Sequence, residues 1–517
     1  MQNAATHKRR HYFYSFLVGG ALPLAYAPLG WFPLAVLMPA VLFWFCWHAT
    51  PRQAFKLGYL FGMGFFGVGV SWVAVSFYRF GGMGPVLSFA ATVLFVLFLA
   101  LFPAVMAWLS RRYYSTLKKS YYLLLLMPAL WVLFEWIRGW ILTGFPWLAL
   151  GYSQTDAPLI GLAPVFGVYG VSWSVAMSAS LLVWAVLGRK RQRVQAGVVV
   201  LMLWLLAGGL AQIDWSRANG KVLTASLIQG NVPQNIKWRP EQRAPTIELY
   251  TRLSRERWDR DVVIWPETAL PVYFHQAKSF LENLALEASK KGGATLMVGL
   301  PLLAAQDDER YYNALVRVAA DAAGKVSIQI YRKHHLVPFG EYIPLKSVLG
   351  ELLDILRVPM ANFSRGAADQ PLLEIDSQKV GVSICYEDAF GEEVIRTLPD
   401  ASLLVNVSND AWFGDSFAPH QHLQMARMRS IETSRPMLRA TNNGISAIID
   451  HHGVVKDSSP QFEVAVLDGK IQPQQGATWY VRLGNAPVLV GLALVLIVCS
   501  FAVRQASRER KQTRYAE

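Results

Sequence analysis

Seven apolar stretches occupy the first 213 residues, at about 12–29, 31–48, 57–78, 85–109, 121–138, 159–187 and 195–212, and an eighth covers 485–503. A run of about 20 residues is what a helix needs to cross the hydrocarbon core of a bilayer. In lipid every backbone polar group has to be satisfied within the segment, so these runs are restricted to helices packed on one another. Before Asp214 the chain holds two acids, Glu135 and Asp156; from Asp214 to about Leu483 the charge density is ordinary. The boundary is a change of solvent. The pattern predicts a polytopic helical membrane domain over 1–213, a domain outside the lipid over 214–484, and an eighth transmembrane helix with a tail over 485–517.

The net charge of +14 raises the question of nucleic acid, but its location answers it. Five clusters flank the apolar runs: Lys8 to Arg10, Arg52 with Lys56, Arg111 to Lys119, Arg189 to Arg193, and Arg504 to Arg514. They hold 18 of the 49 basic residues, and the other 31 nearly balance the 35 acids. A charge stripe for phosphate binding is therefore excluded. The clusters fall after the second, fourth and sixth runs and in both tails, whereas the remaining loops carry only Arg79 and Arg138. By the positive-inside rule both termini are cytoplasmic, and 214–484 lies on the outer side, the periplasm of a Gram-negative inner membrane. Hydrophobic runs resume directly after the first, so it is not a cleavable signal peptide. Glu135 and Arg138 are three apart on one helix face and are placed to pair. The Trp-, Gly- and Pro-rich stretch that follows suits an interfacial or re-entrant loop.

From Lys221 the pattern changes to short β-branched runs alternating with helical segments, an α/β domain of about 270 residues. Three of its strands end on reactive side chains. VVIWPE leads to Glu267, VSIQIYRK leads to Lys333 with Glu341 eight residues on, and KVGVSICYED leads to Cys385. Loops at the ends of a rigid sheet are where chemistry is usually displayed. The other two cysteines, Cys46 and Cys499, lie in apolar runs, so there is no disulfide framework. A thiol attacks an acyl group as thiolate, which requires a base or a nearby cation. Glu267 supplies the base. Lys333 lowers the thiol pKa and holds an oxyanion, and the Tyr386 N–H is a second oxyanion donor. Glu341 keeps Lys333 charged or orients the attacking group.

The segments WPE at 265–267, YRKHHLVPFGEYIP at 331–344 and ICYED at 384–388 resemble the three signatures of the nitrilase (carbon–nitrogen hydrolase) superfamily, in the form found in the apolipoprotein N-acyltransferases. IQGNVPQNIKW (228–238), EWIRGWILTGFPWLALGY and NVSNDAWFGDSFAPHQH (406–422) are similar to that family too, as are the eight spans. The resemblance covers nearly the whole chain. It implies an αββα sandwich with Glu267, Lys333 and Cys385 as catalytic triad, Glu341, Tyr386 and Glu387 as supporting residues, and Trp238 on a mobile loop where lipid enters. It also implies the reaction: an acyl chain moves from the sn-1 position of a phospholipid, typically phosphatidylethanolamine, through a cysteine thioester to the N-terminal amine of a diacylglyceryl-modified apolipoprotein.

Two other functions fit parts of the pattern. A membrane-anchored amidase or nitrilase uses the same three residues, but one span suffices as its anchor. A transporter with an outer binding domain needs intramembrane charge for a substrate path, and these runs have almost none. His334, His335, His420 and His422 match no closed zinc spacing, and a thiol mechanism needs no metal or other cofactor. The apolar stretch ELLDILRVPMANF (351–363) suits an interfacial lid or a helix packed on the sheet.

Overall fold

A computed structural model describes residues 2–304, 307–342 and 362–516. It resolves into two compact units, one of Met1–Ala74, Val86–Ile213 and Leu483–Glu517, the other of Val75–Pro85 and Asp214–Arg482.

The first unit is helical. Among the described residues five helices are long and apolar enough to cross a bilayer: Pro85–Arg112, Lys119–Arg138, Pro158–Val186, Lys190–Leu210 and Ala486–Glu509. The bent pair Pro51–Gly69 and Val73–Arg79 makes a sixth if counted as one span. By length and composition five or six of the expected eight are thus found among the described residues, for local reasons. Helix Gln2–Ala21 begins with a polar half and stops before the Pro23 turn, in the middle of the first apolar run. Helix Pro33–His48 has 16 residues, or about 24 Å against a hydrocarbon core of about 30 Å. Small residues bring helices into backbone contact: a side chain at Gly64 would collide with the Phe16 carbonyl, and one at Gly19 with that of Phe61. Glu135 and Arg138 are both buried, and each serves the loop that follows. Glu135 accepts from Trp131 Nε1 at 2.7 Å and from the Leu150 N–H at 2.9 Å, while Arg138 donates to the Phe145 carbonyl at 2.6 Å. That loop folds as short 3-10 segments, Ile141–Thr143 and Leu150–Gln154.

The second unit holds two six-stranded sheets. One runs Ala465–Ile471, Leu223–Gln229, Val262–Ile264, Thr295–Ala304, Asp307–Ala320, Val326–Arg332; the other Val455–Ser458, Ala447–Ile449, Met437–Thr441, Leu403–Ser408, Gln378–Ile384, Leu373–Ile375. Each sheet has parallel strands at its centre and antiparallel ones at its edges. Parallel strands buried on both faces need cover on both. Helices Pro240–Arg255 and Phe274–Ser289 cover the first sheet, setting Tyr250, Leu281 and Leu284 against Val263, Trp265 and Leu296. Helix Ala418–Thr433 covers the second, with Ala426 in the cluster of Leu404, Met437 and Ile449. The inner faces meet through polar as well as apolar groups, Ser446 Oγ donating to Gln229 Oε1 at 2.8 Å. This is the layered helix–sheet–sheet–helix arrangement of the carbon–nitrogen hydrolases. The three strands expected to lead to Glu267, Lys333 and Cys385 are present, and patterning does not find Val455–Ser458, a mostly exposed edge, or the short ladder of Arg217–Ala218 with Gln474–Gln475. The short segment Val75–Pro85 also belongs here: Ser76 Oγ donates to the Trp412 carbonyl at 2.7 Å, and Phe80 meets the Trp412 ring edge-on.

Candidate active site

Strand Val262–Ile264 ends at Trp265 and Pro266, and the chain turns at Glu267. The turn packs directly on Gly299 of the neighbouring strand, where a Cβ would lie 2.8 Å from Glu267 Cα. Asn313, on the next strand, donates to Glu267 Oε1 at 2.7 Å and to Glu341 Oε1 at 3.2 Å, and its carbonyl takes the Lys333 N–H at 2.8 Å. Lys333 Nζ lies 2.8 Å from Glu341 Oε1 and 3.7 Å from Glu267 Oε1. All four side chains are buried. Burial disfavours the Lys333 charge, but Glu341 and Glu267 outweigh it and hold the pKa above the ordinary lysine value. Glu267 Oε2 is buried with no hydrogen-bond partner. Buried polar atoms are ordinarily hydrogen-bonded, so this oxygen is open to a partner that enters the site.

Cys385 follows strand Gln378–Ile384 and has φ +54°, a left-handed conformation that costs a non-glycine residue of order 1–3 kcal/mol. Glu387 holds the turn in place. It accepts the Ile384 N–H at 2.7 Å within its own sheet, and the N–H groups of His334 and His335 at 2.6 and 3.0 Å and the Tyr331 hydroxyl at 3.1 Å from the other. One carboxylate thus ties the Lys333 strand end to the Cys385 turn. Burial raises the Glu387 pKa to about 7, against the pull of those N–H groups and Lys333. The thiol departs from expectation. Lys333 does pull its pKa down, but burial and then the Glu267 charge push it further up, well above the ordinary thiol value. Cys385 therefore rests as the thiol.

Behind Cys385 is a second cluster that patterning did not find. Arg439 reaches Asp388 Oδ2 at 3.1 Å and Asp410 Oδ2 at 3.2 Å. His422 reaches Asp410 Oδ1 through Nδ1 at 3.0 Å and Asp388 Oδ1 through Nε2 at 2.9 Å, with the Cys385 carbonyl at 3.3 Å from the same nitrogen. Both ring nitrogens face acceptors, as an imidazolium requires. Burial and Arg439 oppose that charge, but the two aspartates raise the pKa to about 9. In turn His422 and Arg439 overcome burial and hold Asp410 down at about 2. The one sequence signal was an arginine in the middle of a buried strand, Met437–Thr441, where a charge needs partners.

Residues 18–181 match the apolipoprotein N-acyltransferase N-terminal domain, and residues 224–480 match carbon–nitrogen hydrolase. The apolipoprotein N-acyltransferase of Methylococcus capsulatus is 46% identical over 507 residues, covering 97% of this chain and 98% of its own. The chain belongs to the apolipoprotein N-acyltransferase family. The enzyme of that name from Nitrosomonas europaea is 44% identical over 96% of this chain and 98% of its own. Among solved structures, the carbon–nitrogen hydrolase of Helicobacter pylori aligns at 15% identity over 48% of this chain and 89% of its own, with a TM-score of 0.36.

The other residues that the family resemblance singled out are less uniform. Tyr386 is buried and its ring meets His335 and Phe390. Trp238 is 38% exposed, on the loop before helix Pro240–Arg255. Its neighbour Lys237, which sequence reasoning passed over, is buried beside Glu267. The four histidines have separate partners: His334 bonds the Gly366 carbonyl, His335 bonds Glu393, His420 bonds Gln461, and His422 joins the aspartates. The apolar stretch 351–363 lies outside the described residues but for its last two.

Proposed function

We propose that this chain transfers an acyl chain from the sn-1 ester of a phospholipid, phosphatidylethanolamine being the expected donor, to the N-terminal amine of a diacylglyceryl-modified apolipoprotein, by way of a thioester on Cys385. The observation that carries the reading is the unpartnered Glu267 Oε2 in a cluster that also holds a buried cation and a protonated thiol. Glu267 takes the thiol proton as sulfur bonds to the ester carbon. Lys333 and the Tyr386 N–H hold the oxyanion. The ester C–O bond then breaks, Glu267 returns the proton to the glycerol oxygen, and lysophospholipid leaves. The acceptor amine attacks the thioester, passes its proton to Glu267, and the C–S bond breaks to give the amide and the thiol. Glu341 keeps Lys333 charged and in place, Glu387 joins the two halves of the site, and Trp238 guards the lipid opening. Near-full-length relatives named as N-acyltransferases favour this over hydrolysis of small amides.

The same reading has eight spans, with a membrane domain over 1–213, a periplasmic domain over 214–484, an eighth helix and tail over 485–517, and both termini cytoplasmic. Its support is the concentration of Lys and Arg on alternate loops. Reporter fusions at Gly188 and Gly220 report opposite sides of the membrane; same-side signals refute the topology. The test of the chemistry is a mass spectrum of the purified enzyme after incubation with phospholipid alone. An acyl adduct on Cys385 that hydroxylamine removes, with lysophospholipid released, is expected. Lysophospholipid appearing only after apolipoprotein is added, with no adduct, means direct transfer in a ternary complex.

A further inference from the structure

Lys237 is 1% exposed, and among the described residues it forms no ion pair. Among the described residues its ammonium makes one hydrogen bond, to the Glu267 carbonyl at 3.5 Å, beyond the ordinary 2.7–3.2 Å range. Three N–H donors are thus almost unused. Burying an ammonium costs several kcal/mol unless good partners compensate, and here burial drags the lysine pKa down to about 8, with only the Glu267 charge opposing it. By contrast Lys333, equally buried, has a carboxylate at 2.8 Å. A methionine or leucine at 237 would pack without that penalty. The cation sits on a loop whose base is fixed, since the Asn231 and Val232 N–H groups bond the Asn442 carbonyl and side chain at 2.7 and 3.0 Å. Lys237 and the half-exposed Trp238 lie at its far end.

An under-bonded cation beside the general base is suited to an anion that arrives with the substrate. Of the lipid moieties of the two substrates in the proposed reaction, on which this inference rests, only the donor's has one close to the reacting ester: its phosphodiester is one glycerol backbone away from the sn-1 ester that Cys385 attacks. The diacylglyceryl group of the acceptor has no phosphate. We infer that Lys237 is the specificity-determining residue that binds the donor phosphodiester and so distinguishes phospholipid from neutral glycerolipid in the first half-reaction. Once lysophospholipid leaves, the site loses that anion, which favours exchange of donor product for acceptor.

The experiment uses the full-length enzyme in detergent micelles and follows acyl-adduct formation on Cys385 from phosphatidylethanolamine and from diacylglycerol with the same chains. Lys237→Met keeps the length of the side chain and removes the charge. It is expected to lower acylation by phosphatidylethanolamine about 10- to 100-fold, mainly through KM, as loss of a charged hydrogen bond does. Acylation by diacylglycerol, which offers no phosphate, should change by less than about threefold. Lys237→Arg should recover part of the phospholipid rate, and the unfolding temperature of Lys237→Met should hold or rise. Equal losses with both donors overturn the inference, since Lys237 would then be acting through Glu267 as a positioning residue. No loss with either donor, or loss of the fold, also overturns it. If the unaltered enzyme forms no adduct with either lipid, the thioester reading itself fails, a result distinguishable from the others because it needs no variant.

Discussion

Two buried cations, Lys333 and Arg439, each stand between two carboxylates, and both clusters meet at Cys385. Lys333 has Glu267 and Glu341; Arg439 has Asp388 and Asp410, with His422 as a second cation. With the carboxylates ionised and His422 protonated, the Arg439 cluster is neutral, whereas Lys333, Glu267 and Glu341 by themselves carry one excess negative charge, which the buried Lys237 faces from beside Glu267 without pairing to its carboxylate. The neutral cluster supports the backbone at Cys385 through its carbonyl. The other leaves Glu267 Oε2 without a partner and the thiol protonated beside it. The difference is that between two arrangements of the same groups: in one each charge is paired, and in the other a buried carboxylate oxygen is left without a bond among the described residues.

The largest contrast should come from neutralising one carboxylate in each cluster. Glu267→Gln removes the excess charge, so thermal unfolding should hold or shift upward while acyl transfer falls about 10³- to 10⁴-fold. Asp388→Asn leaves the second cluster with an excess positive charge, and it should lose about 3–5 kcal/mol of stability in denaturant titration. A Glu267→Gln protein that unfolds early, or an Asp388→Asn protein as stable as the parent, breaks the comparison.

Next in size, Lys333→Arg should be nearly as damaging as Lys333→Ala, each costing about 10²- to 10³-fold in the rate of Cys385 acylation, because a planar guanidinium is larger and aimed differently from an ammonium. An Arg variant with most of the activity would reduce Lys333 to a general positive charge.

The His422 pKa makes the neutral cluster pH-dependent. A folded-state pKa raised to about 9 from an ordinary 6.5 gives stability that is fully present below about pH 6.5 and lost as pH rises through 9. Denaturant titrations between pH 6 and 10 should therefore show the stability gap between parent and His422→Gln narrow by up to about 3 kcal/mol. A constant gap would mean that His422 is neutral and that the cluster is not balanced. The smallest effect is expected outside both clusters. Trp238→Ala should raise KM for phospholipid about tenfold with Cys385 still reactive to a small thiol reagent; normal transfer would make Trp238 surface packing.

Local pattern was enough to separate the helical region from the α/β region and to find three strand ends that converge, because strand periodicity and a polar residue at the end of a β-branched run are properties of neighbouring residues. Glu267, Lys333 and Cys385 were legible for that reason, and Glu387 was legible as a neighbour of the cysteine, though not as the link between sheets. The tertiary structure alone decided the rest. Asn313, Asp410, His422 and Arg439 come from separate elements and matter only once burial in two facing sheets strips away water and makes their pairing obligatory. The direction of the thiol pKa was decided there too, since a nearby lysine is visible in sequence but the extent of burial that outweighs it is not. Lys237 adjoins a residue that the sequence did single out, yet a lysine in a polar loop reads as solvated until the fold closes over it. The helices teach the same lesson from the other side. Apolar composition located them, but prolines, a polar first half and a short second helix determine how many are long enough to cross a bilayer. Those limits follow from where each helix stops, which the hydrophobic average along the chain does not contain.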